Sequence, residues 1–182
     1  MRIVGGRHKG RALTAPQGME TRPTSDRARE SLFNILAHSG ETPLQGARVL
    51  DAFAGSGALG FEALSRGAAQ AIFLDTAPAA LSAIRANAAT LKESPTILRV
   101  DATNPPPAPA ACDLVFLDAP YNKTLSEPAL ASLAAKGWIA PDAACIVEVA
   151  AREDFFAPPG FEEWDRRSYG AAKVIFLRWV GV

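Results

Sequence analysis

Short apolar runs alternate with helical stretches along most of the chain. Each run has the length and apolar density of a buried strand, and the five runs cover residues 47–52, 71–75, 96–101, 113–118 and 144–149. The stretches between them are typical of helices, over residues 58–66, 77–92 and about 126–136. Strands that are buried on both faces and alternate with helices predict a parallel sheet covered on both sides.

The end of the chain departs from this alternation. Glu162–Tyr169 and Lys173–Val180 flank the turn at Gly170, a pattern that predicts an antiparallel hairpin at the sheet edge. Five parallel strands and this hairpin make seven strands. The expected fold class is therefore α/β, with a Rossmann-like, mostly parallel sheet.

A further helix is predicted before the first strand. It starts at Thr24 or Ser25, either of which can cap it, and Asp26 is well placed in the first turn. Its apolar face consists of Ala28, Leu32, Ile35 and Leu36. The opposite polar stripe, which is either a solvent face or a binding face, consists of Arg27, Glu30, Ser31 and Asn34. We divide the chain into an N-terminal arm, 1–23, and one domain, 24–182.

Composition restricts the protein class only in part. The chain has 182 residues and an ordinary globular composition, which suits one domain. It has neither an apolar run of bilayer length nor the apolar core of a signal peptide, so we expect a cytoplasmic protein without a membrane partner. Cys112 and Cys145 lie in apolar runs without metal-site spacing, so buried thiols and no metal are expected. Since no long apolar stripe lacks a place in the core, a monomer is expected.

Charge is unevenly distributed. The whole chain has a formal net charge of zero, but residues 1–30 hold seven Lys and Arg against three Asp and Glu, a net charge of +4. A basic arm of this kind can follow a phosphate backbone, although a solvated charged tail has the same composition. Glycines between the bases predict a flexible segment, or at most a small hairpin. The candidate residues for binding the phosphates of a nucleic acid are Arg7, Lys9, Arg11, Arg22 and Arg27.

The glycine turn after the first strand is the strongest local motif. Asp51 ends the strand, and Gly55, Gly57 and Gly60 follow before a helix. This spacing matches the dinucleotide-binding fingerprint, so an NAD site remains open. The carboxylate of Asp51 would repel phosphates but pair with an ammonium group, which favours S-adenosylmethionine.

Acidic residues end four of the predicted strands. They are Asp51, Asp75, Asp101 and Asp118. Because ligands of open parallel sheets bind beyond the carboxyl ends of the strands, the four carboxylates should lie along one rim. Asp75 is near the offset at which an acid binds ribose hydroxyls, and Asp101 could accept from an adenine amino group.

The segment Asp118-Ala119-Pro120-Tyr121 carries the candidate chemistry. Pro120 restricts Ala119 to extended geometry, so the Ala119 carbonyl and the Asp118 carboxylate could point into one cleft. Tyr121 adds a flat ring. Two acceptors and an aromatic ring suit a planar base with an exocyclic amino group, although a plain strand-end turn would have the same sequence.

Several motifs together resemble a known family. D-A-F-A-G-S-G-A-L-G at 51–60 and D-A-P-Y at 118–121 resemble class I S-adenosylmethionine-dependent methyltransferases that act on amino groups. More specifically, R-I-V-G-G-R-H-K-G-R at 2–11, R-P-T-S-D-R-A-R-E-S-L-F-N at 22–34 and the glycine turn resemble the bacterial RsmD-type family. That resemblance implies methylation of guanine N2 in small-subunit (16S) ribosomal RNA, in an assembling subunit.

The resemblance also implies roles for particular residues. The cofactor S-adenosylmethionine would contact Asp51, Phe53, Gly55, Gly57, Asp75, Asp101 and Ala102. The catalytic motif would comprise Asp118, Ala119, Pro120 and Tyr121. The family usually has proline where this chain has Ala119. The carbonyl acceptor survives that change, whereas a restraint on φ is lost.

Three other functions fit parts of the sequence. A DNA adenine-N6 or cytosine-N4 methyltransferase uses a similar catalytic motif, but the chain is short for an added target-recognition region. An NAD-dependent oxidoreductase would need a catalytic His or Tyr/Lys pair, and His8 and His38 are poorly placed for that. A noncatalytic RNA-binding relative would bind the cofactor without turnover.

Overall fold

The protein is described here by a computed structural model that covers residues 1–18, 25–40 and 44–182. Four helices lie in this part of the chain: α1 (Asp26–His38), α2 (Ala58–Ser65), α3 (Pro78–Leu91) and α4 (Ser126–Ala135). The strands described are β1 (Arg48–Asp51), β2 (Gln70–Asp75), β3 (Thr96–Arg99), β4 (Cys112–Leu117), β5 (Ile139–Ala150), β6 (Phe161–Tyr169) and β7 (Ala172–Trp179).

Within the described residues, the strands form one seven-stranded sheet in the order β3-β2-β1-β4-β5-β7-β6. Strands β1 to β5 pair in parallel, and β7 pairs antiparallel with both β5 and β6. The predicted α/β fold class and the antiparallel C-terminal hairpin are confirmed. The strand order reverses between β1 and β4, and this switch point places the end of Asp51's strand beside that of Asp118.

Both faces of the sheet are covered, as the apolar runs predicted. Val49 and Leu50, which are adjacent in β1, are fully buried in core clusters on opposite sides. One side packs against α4 and Trp138, and the other packs against α1 and α2. Because successive strand residues face opposite sides, an unbroken apolar run is the expected signature of this position.

Helix α1 begins at Asp26, and the side chain of Ser25 accepts a hydrogen bond from the Ala28 amide at 3.1 Å. The alternative cap, Thr24, lies outside the described residues. The buried face is Arg29, Leu32, Phe33 and Leu36. The predicted apolar face was therefore partly wrong, since Ala28 and Ile35 are only half-buried. The helix is rotated because Arg29 is drawn inward by polar partners.

Two strand boundaries differ from the prediction. β3 ends at Arg99, so Asp101 lies in the following loop. β5 begins at Ile139, five residues before the predicted run, and includes Asp142 with a φ of 64°. The exposed start of β5 lacks the apolar density by which a buried strand can be identified.

The start of the arm is a small hairpin. Of the two predicted alternatives, a flexible segment and a small hairpin, the structure shows the hairpin. Arg2 pairs antiparallel with Ala12, and the Ile3 amide donates to the Arg11 carbonyl at 2.9 Å. Ile3 and Leu13 are buried in a core cluster with residues of α2 and α3. The hairpin is therefore packed on the domain. The predicted boundary at residue 23 lies outside the described residues.

None of the helices in the described part of the chain combines the length and the apolar character needed to cross a membrane.

Candidate active site

A cavity of about 440 Å³ opens at the carboxyl ends of the parallel strands. It lies at the switch point between β1 and β4, where ligands of open α/β sheets bind. The predicted site residues that line it are Asp51, Phe53, Gly55, Asp75, Asp101, Ala102, Asp118 and Pro120. Gly57, Ala119 and Tyr121, which were also predicted, are not among its lining residues.

Asp51 is almost completely buried at the base of the cavity. Its Oδ2 accepts a hydrogen bond from the Gly60 amide at 3.1 Å, whereas Oδ1 has no hydrogen-bond partner among the described residues. Burial raises the pKa of Asp51 well above its ordinary value despite the Gly60 bond, and the charges of Asp118 and Asp75 raise it further. A buried carboxyl oxygen without a partner beside an open cavity fits a cationic ligand.

The glycine turn brings the backbone to the cavity wall. Gly55 has a φ of 57°, and a side chain there would meet no atom within 4 Å, so its absence leaves room for a ligand. The Gly55 amide donates to Asp75 Oδ2 at 2.9 Å. Asp75 Oδ1 accepts from the Ala77 amide at 2.9 Å. Asp75 therefore shapes the turn, and its remaining lone pairs can still accept from hydroxyl groups in the cavity.

Gly57 and Gly60 act behind the turn. Gly57 is the N-cap of α2 with a φ of 81°, and its amide donates to the Ala54 carbonyl at 2.7 Å. A Cβ on Gly60 would lie 2.3 Å from the ring of Phe73. These two glycines allow α2 to pack closely against the sheet, whereas Gly55 faces the cavity.

Asp101 and Ala102 form the opposite end of the cavity, after β3. Asp101 Oδ1 accepts from the Thr103 amide at 2.9 Å and from its hydroxyl at 2.7 Å, so the carboxyl group closes a local turn. Ala102 is buried in the core and also lines the cavity. At this part of the cavity wall, Asp101 provides a polar surface and Ala102 an apolar one.

The predicted catalytic motif follows β4 directly. Asp118 and Pro120 line the cavity, and Ala119 is buried. Tyr121 is half-buried, and its hydroxyl donates to Glu148 Oε1 at 2.6 Å. The carboxylate and the proline are thus on the cavity wall, while the tyrosine is held at its margin by β5.

Sequence reasoning missed Arg29, a buried arginine that lines the cavity. Its Nη2 donates to the Arg2 carbonyl and to Asp26 Oδ1, the latter at 2.9 Å, and its Nε lies 3.8 Å from Glu62 Oε2. The available signal was an arginine between apolar positions of an amphipathic helix. The guanidinium therefore reaches this wall together with two carboxylate partners.

The arm supplies a further wall that sequence reasoning did not anticipate. Met1 and Pro16 line the cavity. The fully buried Asn87 of α3 holds this segment: its side chain accepts from the Thr14 amide at 2.7 Å and donates to the Thr14 carbonyl at 2.9 Å. It also donates to the carbonyl of Ser56 in the glycine turn at 2.9 Å. The arm and the turn are therefore fixed to one side chain.

The predicted RNA-binding residues are distributed around this arm. Arg7 forms an ion pair with Glu93, and Arg11 donates to the Thr90 carbonyl at 2.9 Å. Lys9 is exposed, and Arg27 lies on the exposed face of α1 beside a second, shallow groove. Arg22 lies outside the described residues. Their role in RNA binding stays a prediction.

The main cavity fits S-adenosylmethionine. Asp51, whose Oδ1 has no partner among the described residues, matches an ammonium group, the Arg29 guanidinium matches a carboxylate, and Asp75 can accept from ribose hydroxyls. Residues 1–18, 25–40 and 44–182 contain no cluster of three metal-ligating side chains. Cys112 and Cys145 are buried free thiols, and burial raises the pKa of Cys112 to about 11.

Comparison with known proteins identifies the family. Residues 1–178 match the family model described as "Conserved hypothetical protein 95". The chain is 41% identical over 152 residues to "Ribosomal RNA small subunit methyltransferase D" of Escherichia coli, covering 81% of this chain and 74% of that protein. The protein of the same name from Haemophilus influenzae is 36% identical over 173 residues, covering 90% of this chain and 84% of that one.

A solved structure of similar shape agrees with this assignment. The Escherichia coli protein yhhF superposes with a TM-score of 0.84 at 33% identity, over 99% of this chain and 98% of that one. The RsmD-type resemblance of the sequence motifs is confirmed. The chain belongs to the family described as Conserved hypothetical protein 95, which includes the ribosomal RNA small subunit methyltransferases D.

Proposed function

We propose that this protein transfers a methyl group from S-adenosylmethionine to the exocyclic N2 of a guanine in 16S ribosomal RNA. One observation carries the proposal: Asp51, whose buried Oδ1 has no hydrogen-bond partner among the described residues, lines the same cavity as Asp118. The first group suits the cofactor's ammonium and the second a base amino group. Membership of the methyltransferase D family supports the same reaction.

Binding of the cofactor would be divided among the walls of the cavity. Asp51 would hold the ammonium group, Arg29 the carboxylate, and Asp75 the ribose hydroxyls. Asp101 and Ala102 would flank the adenine. S-adenosylmethionine, when bound, supplies a methyl group already activated on a sulfonium.

Asp118 and the Ala119 carbonyl would act on the target base. The two hydrogens of a guanine amino group can be accepted by these two oxygens, which directs the nitrogen lone pair away from them and into the cavity. The same acceptors stabilise the positive charge that develops on the nitrogen. The proton is then taken by the Asp118 carboxylate or by water.

Recognition of RNA would use groups outside the cavity. The half-buried Tyr121 ring can stack on the target base, a contact worth roughly 1–3 kcal/mol in other proteins. Exposed bases of the arm, above all Lys9, would contact phosphates without reading sequence. We propose an assembling small ribosomal subunit as the substrate and a monomer as the active form.

A methyl-transfer assay tests the reaction. Labelled S-adenosylmethionine is supplied with undermodified small subunits, free 16S rRNA or duplex DNA, and the product nucleosides are separated. We expect the label in N2-methylguanosine. Label in methyladenine or methylcytosine of DNA would contradict the proposal, as would cofactor binding without transfer to any substrate.

Replacing Asp118 tests the assigned role in turnover. Asp118→Asn loses the carboxylate that stabilises the transition-state charge, so kcat should fall by about 100-fold or more. Affinity for S-adenosylhomocysteine, measured by calorimetry, should change by less than about threefold, because Asp51, Arg29 and Asp75 remain. Asp165→Asn, on the distant β6, is the matched control. Parallel loss of kcat and cofactor affinity would contradict this role.

A further inference from the structure

The catalytic motif is joined to β5 by a contact that the proposed chemistry does not use. Glu148 lies near the end of that strand and is only 7% exposed. Its Oε1 accepts the hydroxyl proton of Tyr121 in a bond of 2.6 Å. The tyrosine hydroxyl is therefore held by β5, and the ring is half-buried.

The residues just after Tyr121 have an unusual backbone. Asn122 has a φ of 58° and Thr124 a φ of 50°, both in the left-handed region. Asparagine tolerates this region, but a β-branched threonine adopts it rarely. Such conformations persist only where the surroundings hold them, and they concentrate at functional sites. The segment 121–124 therefore needs external support.

Glu153 gives that support. Its Oε2 accepts from the Asn122 amide at 3.0 Å and from the Ala150 amide at 3.2 Å. The Glu153 amide in turn donates to the Ala150 carbonyl at 2.9 Å, so the residue belongs to the turn that ends β5. One carboxyl oxygen thus joins the left-handed residue of the loop to the end of the strand.

We propose that Glu148 and Glu153 are positioning residues that hold the Asp118–Thr124 segment in its active conformation. We call the pair the β5 clamp. Position 119 is an alanine, whose φ is not restricted by a ring, so the segment depends more on contacts from outside. The inference rests on the proposed methyl transfer, because it assigns the clamp to the residues that would hold the target base.

The clamp has a specific kinetic consequence. Neither Glu148 nor Glu153 is among the residues that line the cavity with Asp51, Asp75 and Asp101. Loss of the clamp should therefore lower kcat and leave the KM for S-adenosylmethionine nearly unchanged. A misplacement of this kind can cost up to about 100-fold in rate. A general loss of folding would instead affect both constants and the melting temperature.

Two sets of variants separate the contacts from their surroundings. Tyr121→Phe keeps the ring and removes the donor to Glu148, and Glu153→Ala removes the acceptor of the Asn122 amide. We expect each to lower kcat by about 10-fold or more. Glu153→Gln retains an acceptor oxygen and should recover most of the rate. Glu163→Ala, on the exposed β6, is the control with the same change of composition.

A second readout does not depend on activity. Hydrogen–deuterium exchange of the peptide that contains the Asn122 amide should be about fivefold faster in Glu153→Ala, because one hydrogen bond that opposes opening is lost. Exchange in β1 and β4 should be unchanged. The double variant Tyr121→Phe, Glu148→Gln should cost no more than the larger single change, since both act on one bond.

The outcomes divide clearly. Faster exchange with a lower kcat, an unchanged KM for the cofactor and recovery in Glu153→Gln would support the β5 clamp. Unchanged exchange, or unchanged kcat in an active wild-type protein, would overturn it. A wild-type protein that binds S-adenosylhomocysteine but methylates no RNA would overturn the proposed function instead, and the exchange rates would then decide whether the clamp exists.

Discussion

At the residue scale, Asp51 shows how a buried acid can be tolerated. A carboxylate that is removed from water without full hydrogen bonding is costly, and the usual response is a raised pKa. Here the Gly60 amide donates to one oxygen, and the other oxygen has no hydrogen-bond partner among the described residues, although Asp51 lines the cavity. At pH values below this raised pKa the carboxyl group carries a proton, which a bound ammonium group would displace.

This exchange predicts proton release on binding. Burial raises the folded-state pKa of Asp51, so affinity for S-adenosylhomocysteine should increase as the pH rises through that pKa. Calorimetry in buffers of different ionisation enthalpy should show release of up to about one proton. The release should disappear in Asp51→Asn and persist in Asp101→Asn, which changes an exposed carboxyl of the same cavity. Equal release in all three proteins would contradict the assignment.

The same shift affects stability with a defined sign. The folded protein holds the Asp51 proton more tightly than the unfolded chain, whose pKa is near the ordinary value of 3.8. The contribution of Asp51 to the free energy of unfolding should therefore fall as the pH rises above about 3.8. Denaturant titrations of the wild type and Asp51→Asn without ligand should show a smaller decline for the variant. A larger decline in the free energy of unfolding for Asp51→Asn than for the wild type would contradict the raised pKa of Asp51.

Gly60 is a second residue whose role depends on its surroundings. A Cβ at this position would lie 2.3 Å from the ring of Phe73, which is fully buried and cannot move away. Gly60→Ala should lower the free energy of unfolding by about 1–3 kcal/mol, measured by denaturant titration. Gly170→Ala is the comparison variant. Gly170 lies in an open hairpin turn with a φ of 58°, so a methyl group there adds backbone strain but no steric clash. A stabilised Gly60→Ala would show that the close helix packing is dispensable.

At the scale of elements, Glu62 joins two helices and the arm. It is fully buried in α2, and it accepts from the Val4 amide at 3.0 Å and from Arg66 Nε at 2.9 Å. Arg29 of α1 lies 3.8 Å away. The arm, α1 and α2 therefore share one buried acidic side chain. Glu62 is linked to the cavity through Arg29, which lies beside it and lines the cavity wall.

Removal of Glu62 should leave the buried Arg29 guanidinium with Asp26 as its one carboxylate partner among the described residues, and Arg66 without its ion pair to Glu62. We expect Glu62→Ala to lower the free energy of unfolding by about 3–5 kcal/mol. It should also weaken binding of S-adenosylhomocysteine, because the position of Arg29 is no longer fixed. Glu30→Ala, on the exposed face of α1, is the control and should be nearly neutral. A stable Glu62→Ala protein with normal S-adenosylhomocysteine binding would contradict the role of Glu62 in joining the arm, α1 and α2.

At the scale of the whole molecule, fewer basic side chains of residues 1–30 are available to contact phosphates than the composition indicated. The arm is basic, but Arg7 pairs with Glu93 and Arg29 is buried against Glu62 and Asp26. Lys9 is exposed on the hairpin. The surface that could contact phosphates is therefore smaller than the net charge of +4 over residues 1–30 would indicate.

This distribution predicts unequal effects on RNA affinity. Lys9→Ala should weaken binding of 16S rRNA and reduce the slope of log affinity against log salt by about one. Arg7→Ala should have a smaller effect because Arg7 already has a carboxylate partner. Lys136→Ala, at the C-terminus of α4 and just before β5, lies at the end of the sheet opposite the cavity and should change neither quantity. Filter binding over a range of salt concentrations would measure all three.

Local patterns were sufficient for most of the fold. The apolar runs at β1, β2 and β4 and the acids Asp51, Asp75 and Asp118 predicted a sheet with a polar rim, and the rim is found. Those predictions succeed because a buried parallel strand needs an apolar sequence and ends at the ligand edge. The glycine spacing predicted the turn for a similar reason, since left-handed backbone strongly favours glycine.

Contacts between distant segments were decided only by the tertiary structure. Arg29 with Glu62, Asn87 with Thr14, and Tyr121 with Glu148 join residues 27 to 73 positions apart. No local periodicity marks such pairs, because each polar group is tolerable in the core only when its partner arrives from elsewhere. The sequence by itself thus determined the sheet, the glycine turn and the acidic rim. Folding decided which polar groups line the cavity and which contact the predicted catalytic motif, since the hydrogen bonding of buried polar groups depends on the whole chain.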